Sequence, residues 1–78
     1  MEKAMMIDFT AQEYINSDWR QVVVRGIKFA GEYDVDIYYK ESGANYSWRT
    51  VQWEHVDCKR LSTINKRLAA AGFTCKID

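Results

Sequence analysis

The stretch YDVDIYY, residues 33–39, decides the fold of this chain of 78 residues. Its apolar or aromatic side chains at 33, 35, 37 and 39 alternate with two aspartates and a tyrosine. This period of two is typical of a β-strand with one buried face. The expected strand turns one set of side chains to the core (Tyr33, Val35, Ile37, Tyr39) and the other to the opposite face (Asp34, Asp36, Tyr38).

The segments on either side predict antiparallel partners for this strand. Residues 19–29 contain three consecutive valines and Ile27, which favour a strand, and Gly26 within them indicates a bulge or a close backbone approach. Ala30 and Gly31 are expected to form the turn to the next strand. Residues 42–45 predict a loop and residues 46–55 a third strand, so that short connections close a β-meander.

The first segment fits two structures. Its apolar residues at 5, 7 and 9 alternate as in a strand, whereas those at 7, 11, 14 and 15 fit one helical face. Residues 3–9 therefore stay open between strand and helix. Thr10 with Glu13 three residues later matches a capping box, which predicts a short N-terminal helix that stops near Ser17 and Asp18.

The C-terminal third predicts a longer helix. Asp57 is expected to cap a helix over residues 58–71, whose apolar side chains at 61, 64, 68 and 71 form one stripe, and Gly72 is expected to end it. Residues 73–78 alternate again, which predicts a short terminal strand. The expected fold is one small α+β domain over residues 1–78 in the order (β)αβββα(β), with a three- or four-stranded, mostly antiparallel sheet packed by the C-terminal helix. The expected core comprises Val23, Ile27, Val35, Ile37, Val51, Leu61, Ile64, Leu68 and Phe73.

The composition excludes several classes of function. Eleven basic and eleven acidic residues give zero net charge, so no overall positive field attracts nucleic acid or acidic membranes. No apolar run is long enough for a signal-peptide core or a membrane span, which predicts a cytoplasmic protein without membrane contact. In that compartment Cys58 and Cys75 are expected to be reduced thiols.

No combination of residues predicts catalysis, a metal or another cofactor. His55 and Cys58 are the only base and nucleophile close together in sequence, and no third group is evident to orient them. The histidine and cysteines lack the paired spacing of a zinc site, and the four glycines are too dispersed for a phosphate loop. Asp34 and Asp36 share a strand face and are expected to be solvated. We therefore expect no enzyme and no small-molecule substrate.

Two surfaces are candidates for binding. On the C-terminal helix, basic residues lie beside the apolar stripe and form a ridge (Lys59, Arg60, Lys66, Arg67). On the sheet, Trp48 and Trp53 are an odd number of residues apart, so in a regular strand they face opposite sides. One of them is therefore expected on the open face. The candidate partner-binding residues are Asp34, Asp36, Tyr38, Tyr46, Trp48, Lys59, Arg60, Lys66 and Arg67.

The surplus of aromatic residues over the needs of one small core predicts a protein-binding module, an inhibitor or regulator. In size and α+β style the chain is similar to the small accessory proteins of phages and mobile elements that act on host or defence machinery by direct contact. The alternative is a nucleic-acid-binding domain, because the expected αβββα order resembles that of double-stranded RNA-binding domains. That family grips phosphates with lysines at the start of its second helix, where Lys59 and Arg60 lie here, although its lysine-rich pattern is missing. Whether the chain forms a homodimer stays open.

Overall fold

A computed structural model describes residues 2–78, apart from the side chain of Tyr46, and shows an antiparallel sheet with one helix. The elements are β1 (Met5–Ile15), β2 (Asp18–Phe29), β3 (Glu32–Ser42), a single 3₁₀ turn (Ala44–Tyr46), β4 (Trp48–Cys58) and α1 (Leu61–Ala70). The four strands form one sheet in the order β1-β2-β3-β4, a meander. The helix packs on one face of this sheet, so the expected α+β class is confirmed.

Two tight turns join the first three strands. Asn16 and Ser17 have φ angles of 53° and 66°, and Ala30 and Gly31 have 51° and 75°. Two consecutive positive φ angles are the geometry of a type I′ turn, whose twist matches that of the strands it joins. The expected turn at Ala30 and Gly31 is therefore confirmed.

The predicted N-terminal helix is wrong, because residues 5–15 form strand β1. Every residue from Met5 to Ile15 pairs with β2, in a register that sets Thr10 opposite Val23. The odd-numbered side chains of β1 face the helix, and the even-numbered ones face away from it. Glu13 interrupts the apolar inner set, which explains why the alternation is hard to recognise in the sequence.

Gly26 marks a close approach of two backbones rather than a bulge. It pairs with Ile7 and with Val35, and no register shift occurs there. A Cβ atom at this position would lie 2.1 Å from the carbonyl oxygen of Asp34 and 2.6 Å from the Cα of Val35. Only glycine leaves room for this contact.

The irregularity of the sheet lies in β4, which runs from Trp48 to Cys58 rather than over the expected residues 46–55. Tyr39 pairs with Gln52, but the next residue, Lys40, pairs with Thr50. Val51 therefore has no partner in β3 and is the extra residue of a β-bulge. A bulge of one residue exchanges the two faces for the part of the strand that precedes it.

Helix α1 begins later than expected. Asp57 lies in β4, and the residue before the helix is Arg60, which makes no side-chain cap. Ile64 and Leu68 are fully buried, in agreement with the predicted stripe. The backbone N–H of Gly72 donates to the carbonyl of Ala69, and that of Phe73 to the carbonyl of Leu68. With a φ of 96° at Gly72, this is a Schellman motif, and the predicted glycine stop is confirmed.

The C-terminal tail, residues 73–78, forms no strand, so the predicted terminal strand is wrong. Side chains bind its backbone instead. The amide of Asn65 donates to the carbonyl of Ile77 and accepts from its N–H, at 2.9 and 2.8 Å. The carboxylate of Glu13 accepts hydrogen bonds from the N–H groups of Thr74 and Cys75. These contacts hold the tail to α1 and β1.

The core lies between the sheet and α1. Its buried members are Ile7, Val22, Val24, Tyr33, Val35, Ile37, Tyr39, Val56, Ile64, Leu68 and Phe73. Three residues of the expected core lie elsewhere: Ile27 is 43% exposed, Val51 is 48% exposed, and Val23 is buried on the opposite face of the sheet. Leu61 packs at the margin of the core. None of the helices within residues 2–78 has the length and hydropathy needed to cross a membrane.

Candidate interaction surface

The face of the sheet that does not contact α1, here called the open face, is covered by no other segment of residues 2–78. The strand register arranges its side chains in rows across the sheet. From one end these are the pair Phe29 with Glu32; Met6, Ile27, Asp34 and Asp57; Asp8, Arg25, Asp36 and His55; Thr10, Val23, Tyr38 and Trp53; Gln12, Gln21, Lys40 and Thr50; and finally the pairs Tyr14 with Trp19 and Ser42 with Trp48.

Five aromatic residues share one half of the open face, here called the aromatic half (Tyr14, Trp19, Tyr38, Trp48, Trp53). All three tryptophans of the chain are among them. Tyr14 and Trp19 are 63% and 51% exposed and pack edge to face, with ring centroids 5.5 Å apart. Trp53 is 55% exposed and lies opposite Tyr38. No carboxylate belongs to the rows that carry these rings.

The β-bulge brings Trp48 and Trp53 to the same face, so the expectation that they face opposite sides is wrong. Trp53 is opposite Tyr38, and Trp48 is opposite Ser42. Positions 38 and 42 of the regular strand β3 lie on one face, and the unpaired Val51 provides the odd residue between the two tryptophans. Trp19 and Trp48 line a hollow of about 250 Å³ together with Gln12 and Ser42.

A second and larger depression, the central cavity, lies in the middle of the open face. Its volume is about 460 Å³, and it is lined by Thr10, Gln21, Val23, Arg25, Tyr38, Lys40 and Thr50. Gln21 is only 8% exposed although no other segment of residues 2–78 covers the face. The lining contains two cations and several neutral donors, and no carboxylate.

The other end of the open face is acidic, and we call it the acidic end (Asp8, Asp34, Asp36, Asp57). His55 lies among these carboxylates: its Nδ1 is 2.8 Å from Asp36 and its Nε2 is 2.9 Å from Asp34. The hydrogen bond to Asp36, and to a lesser degree the charges of Asp34, Asp36 and Asp57, raise the pKa of His55 above its ordinary value. Arg25 lies 3.6 Å from Asp8 in the same row as His55.

The four residues of the predicted basic ridge do not all lie on α1. Lys59 and Arg60 are exposed but precede α1, whereas Lys66 and Arg67 lie within it. Arg67 binds the carboxylate of Glu54 in β4, which also accepts a hydrogen bond from the hydroxyl of Tyr39 at 2.8 Å. Burial and the contact with Glu54 raise the pKa of Tyr39. Arg67 therefore contributes to the packing of the helix on the sheet.

His55 and Cys58, the base and the nucleophile that are close together in the sequence, lie on different faces of the sheet. His55 lies on the open face with Asp36, whereas Cys58 lies on the helix face opposite Tyr33 and donates a hydrogen bond to the carbonyl of Arg60. Burial raises the pKa of Cys75, the other free thiol, to about 11, and the nearby Glu13 contributes to this rise. Within residues 2–78, no group of three or more potential ligands is arranged to hold a metal ion.

The structure thus unites four of the predicted binding residues on the open face: Asp34, Asp36, Tyr38 and Trp48. The side chain of Tyr46 lies outside the described part of the structure. Sequence reasoning missed the contributions of Trp19, Gln21 and Lys40. That these side chains lie on the same face as Tyr38 is visible only once the registers of β1 to β4 are known. The alternation of Trp19, Gln21 and Val23 does, however, indicate that one face of β2 carries them.

Comparison of the chain with known protein families, with curated proteins and with solved structures gave no match.

Proposed function

We propose that this protein is a non-enzymatic protein-binding module that docks through the open face of its sheet. The observation that carries the proposal is the convergence of all three tryptophans and two tyrosines on one uncovered face. Tryptophan and tyrosine dominate the energetics of protein interfaces, because each buries a large rigid surface at a small entropic cost. Trp19 and Trp53 are about half exposed, so much of their apolar surface stays available to a partner.

The charge on the open face restricts the partner. The acidic end has four carboxylates, and Arg25 and Lys40 are the only lysine or arginine side chains on the face within the described residues. A partner that covers the whole face therefore presents basic groups opposite the acidic end and apolar groups opposite the aromatic half. A nucleic-acid backbone, which has a negative charge at every nucleotide, meets repulsion from the acidic end.

The role we propose is that of an inhibitor or regulator that acts in the cytoplasm by direct contact, in the manner of the accessory proteins of phages and mobile elements. This role is supported by the small size of the domain and by the large contact surface that its open face exposes. Separation of His55 from Cys58 supports a function without covalent catalysis.

The alternative is nucleic-acid binding. The element order no longer resembles that of double-stranded RNA-binding domains, because a strand stands in place of the N-terminal helix. One observation still favours it: Lys59, Arg60 and Lys66 are exposed and form no ion pair with another residue of the described chain. These side chains are therefore available for phosphate contacts.

Affinity capture with three tagged proteins separates these functions. The wild type is compared with the double variant Trp19→Ala/Trp53→Ala and with the control Lys59→Glu/Lys66→Glu, each in lysate of the source organism with and without nuclease. We expect a stoichiometric protein that resists nuclease, is retained by the lysine variant and is lost with the tryptophan variant. Capture that depends on the lysines and disappears after nuclease contradicts the proposal. Light scattering of the purified protein shows whether the partner is a second copy.

A further inference from the structure

We propose that the central cavity is a carboxylate-binding socket that receives an acidic side chain of the protein partner. This inference rests on the proposed function, because it names the chemistry by which the same face recognises its partner. The cavity holds about 460 Å³, which is ample for an acidic side chain with its water molecules.

Gln21 and Lys40 are neighbouring polar residues in the lining of the cavity. Gln21 is more than nine-tenths buried as a residue and lines the cavity, and its amide atoms are not among the buried atoms of residues 2–78 that lack a hydrogen-bond partner. Lys40 lies beside Gln21 in the register and forms no ion pair with a carboxylate of residues 2–78. Gln21 and Lys40 thus line one space, to which Lys40 brings a positive charge that no carboxylate of residues 2–78 balances.

The charge of the lining favours a singly charged anion. Arg25 is already close to Asp8, and in the register it lies opposite Asp36, so its charge is largely balanced. Lys40 provides one unbalanced positive charge, and Thr10, Thr50 and Tyr38 provide neutral hydroxyl donors. One ammonium with neutral donors matches a carboxylate. A phosphate monoester with two charges is matched less well, because Asp8 and Asp36 lie in the adjoining row.

The surroundings of the cavity favour a polypeptide as the source of the carboxylate. The hollow between Trp19 and Trp48 adjoins the central cavity, because Gln12 lines the hollow and its register partner Gln21 lines the cavity. Rows two residues apart are separated by about 7 Å, which is also the distance between alternate side chains of an extended peptide. A segment with an acidic residue and, two positions later, an apolar residue fills both depressions.

The test is an NMR titration of the ¹⁵N-labelled full chain that follows the side-chain amide of Gln21. The probes are acetyl-Glu-Ala-Leu-amide, its Gln-Ala-Leu counterpart, succinate and inorganic phosphate. We expect saturable shifts with the glutamate peptide, at least tenfold weaker binding of the glutamine peptide, and weaker binding of succinate and phosphate. Lys40→Met should abolish the response, whereas the control Lys66→Met should retain it.

Equal binding of the two peptides, or an unchanged response in Lys40→Met, overturns the socket. Tighter binding of phosphate or of succinate than of the glutamate peptide overturns the assignment to an acidic side chain. Because the probes contain no natural partner, the result is independent of the capture experiment. If no peptide binds but capture still depends on Trp19 and Trp53, the socket is overturned and the proposed function stands. If the glutamate peptide binds as expected but capture does not depend on the two tryptophans, the proposed function is overturned.

Discussion

The Oε1 atom of Glu13 lies 2.9 Å from both the backbone nitrogen and the hydroxyl oxygen of Thr74, which joins the first strand to the C-terminal tail. The N–H of Cys75 donates to the other carboxylate oxygen at 2.8 Å. One side chain thus satisfies two successive backbone donors of a segment that has no strand partner. The tail in turn places Phe73 in the core.

These hydrogen bonds lead to a prediction about stability. Glu13→Ala should lower the free energy of unfolding by about 1–3 kcal/mol, because the donors of the tail lose a charged acceptor. Urea denaturation at neutral pH measures the change. Glu32→Ala, which removes an exposed glutamate at the start of β3, is the matched control and should change stability by about 0.5 kcal/mol or less. Equal effects of the two substitutions contradict this role of Glu13.

The same contacts predict a loss of stability in acid. The backbone hydrogen bond from Thr74, reinforced by the other donors, lowers the pKa of Glu13 in the folded state. A lowered folded pKa adds stability above the pKa of the unfolded chain, and this stability disappears as the pH falls through the folded value. Glu13→Gln should therefore flatten the dependence of the urea midpoint on pH below about pH 5. A slope identical to that of the wild type refutes the linkage.

The contacts of His55 predict that stability decreases as the pH rises near neutrality, the opposite of the effect of Glu13. A histidine offers two donors only when it is protonated, and here its two nitrogens face the carboxylates of Asp36 and Asp34. Its raised folded pKa adds stability that is complete below the unfolded pKa and is lost as the pH rises through the folded value. Because His55 is the single histidine, its ring proton resonances report the pKa without ambiguity. Asp36→Asn should lower that pKa more than Asp34→Asn, and the reverse order would contradict the geometry.

Gly26 provides a test of the contact between β2 and β3. Gly26→Ala should destabilise the fold by about 1–3 kcal/mol or more, because the new methyl group meets the backbone of Asp34 and Val35. At Gly43 the nearest atoms to an added methyl group belong to Ser47, at 3.3 Å and beyond, and φ is −104°. Gly43→Ala is therefore the control, with an expected change of about 0.5 kcal/mol. Thermal or urea unfolding of both variants measures the difference.

The positions of Ile64 and Ile27 predict different losses of stability when each is replaced by alanine. Ile64→Ala should cost about 2–5 kcal/mol, because Ile64 is fully buried between α1 and the sheet. Ile27→Ala should cost about 0.5 kcal/mol or less, because Ile27 lies half exposed on the open face. Urea denaturation compares the two. A large loss at Ile27 would show that something covers the open face in solution.

Local pattern was sufficient for part of this fold. The alternation over residues 33–39 predicts β3 and its buried face, and the spacing of Leu61, Ile64 and Leu68 predicts the helix that packs on it. Gly72 predicts where the helix ends. These elements have a regular apolar period and ordinary end signals, so their local sequence agrees with their place in the fold.

Two elements escaped prediction because a distant partner decides their structure. Residues 10–13 match a helical capping box, but pairing of the whole segment with β2 makes it a strand, and the polar Glu13 on the inner face is explained only by Thr74, 61 residues later. The extra residue at Val51 is visible only against β3. Without it, Trp48 and Trp53 appear to face opposite sides, and the aromatic half cannot be assembled from the sequence.

The most direct test of the central claim is a map of the binding footprint on the ¹⁵N-labelled protein, with the captured partner added at stoichiometric concentration. Shifts and line broadening should concentrate on the open face, above all at the indole N–H groups of Trp19, Trp48 and Trp53. Resonances of Ser62, Lys66 and Ala69, on the outer side of α1, should not change. A footprint centred on α1, with the three indole signals unchanged, would contradict the account.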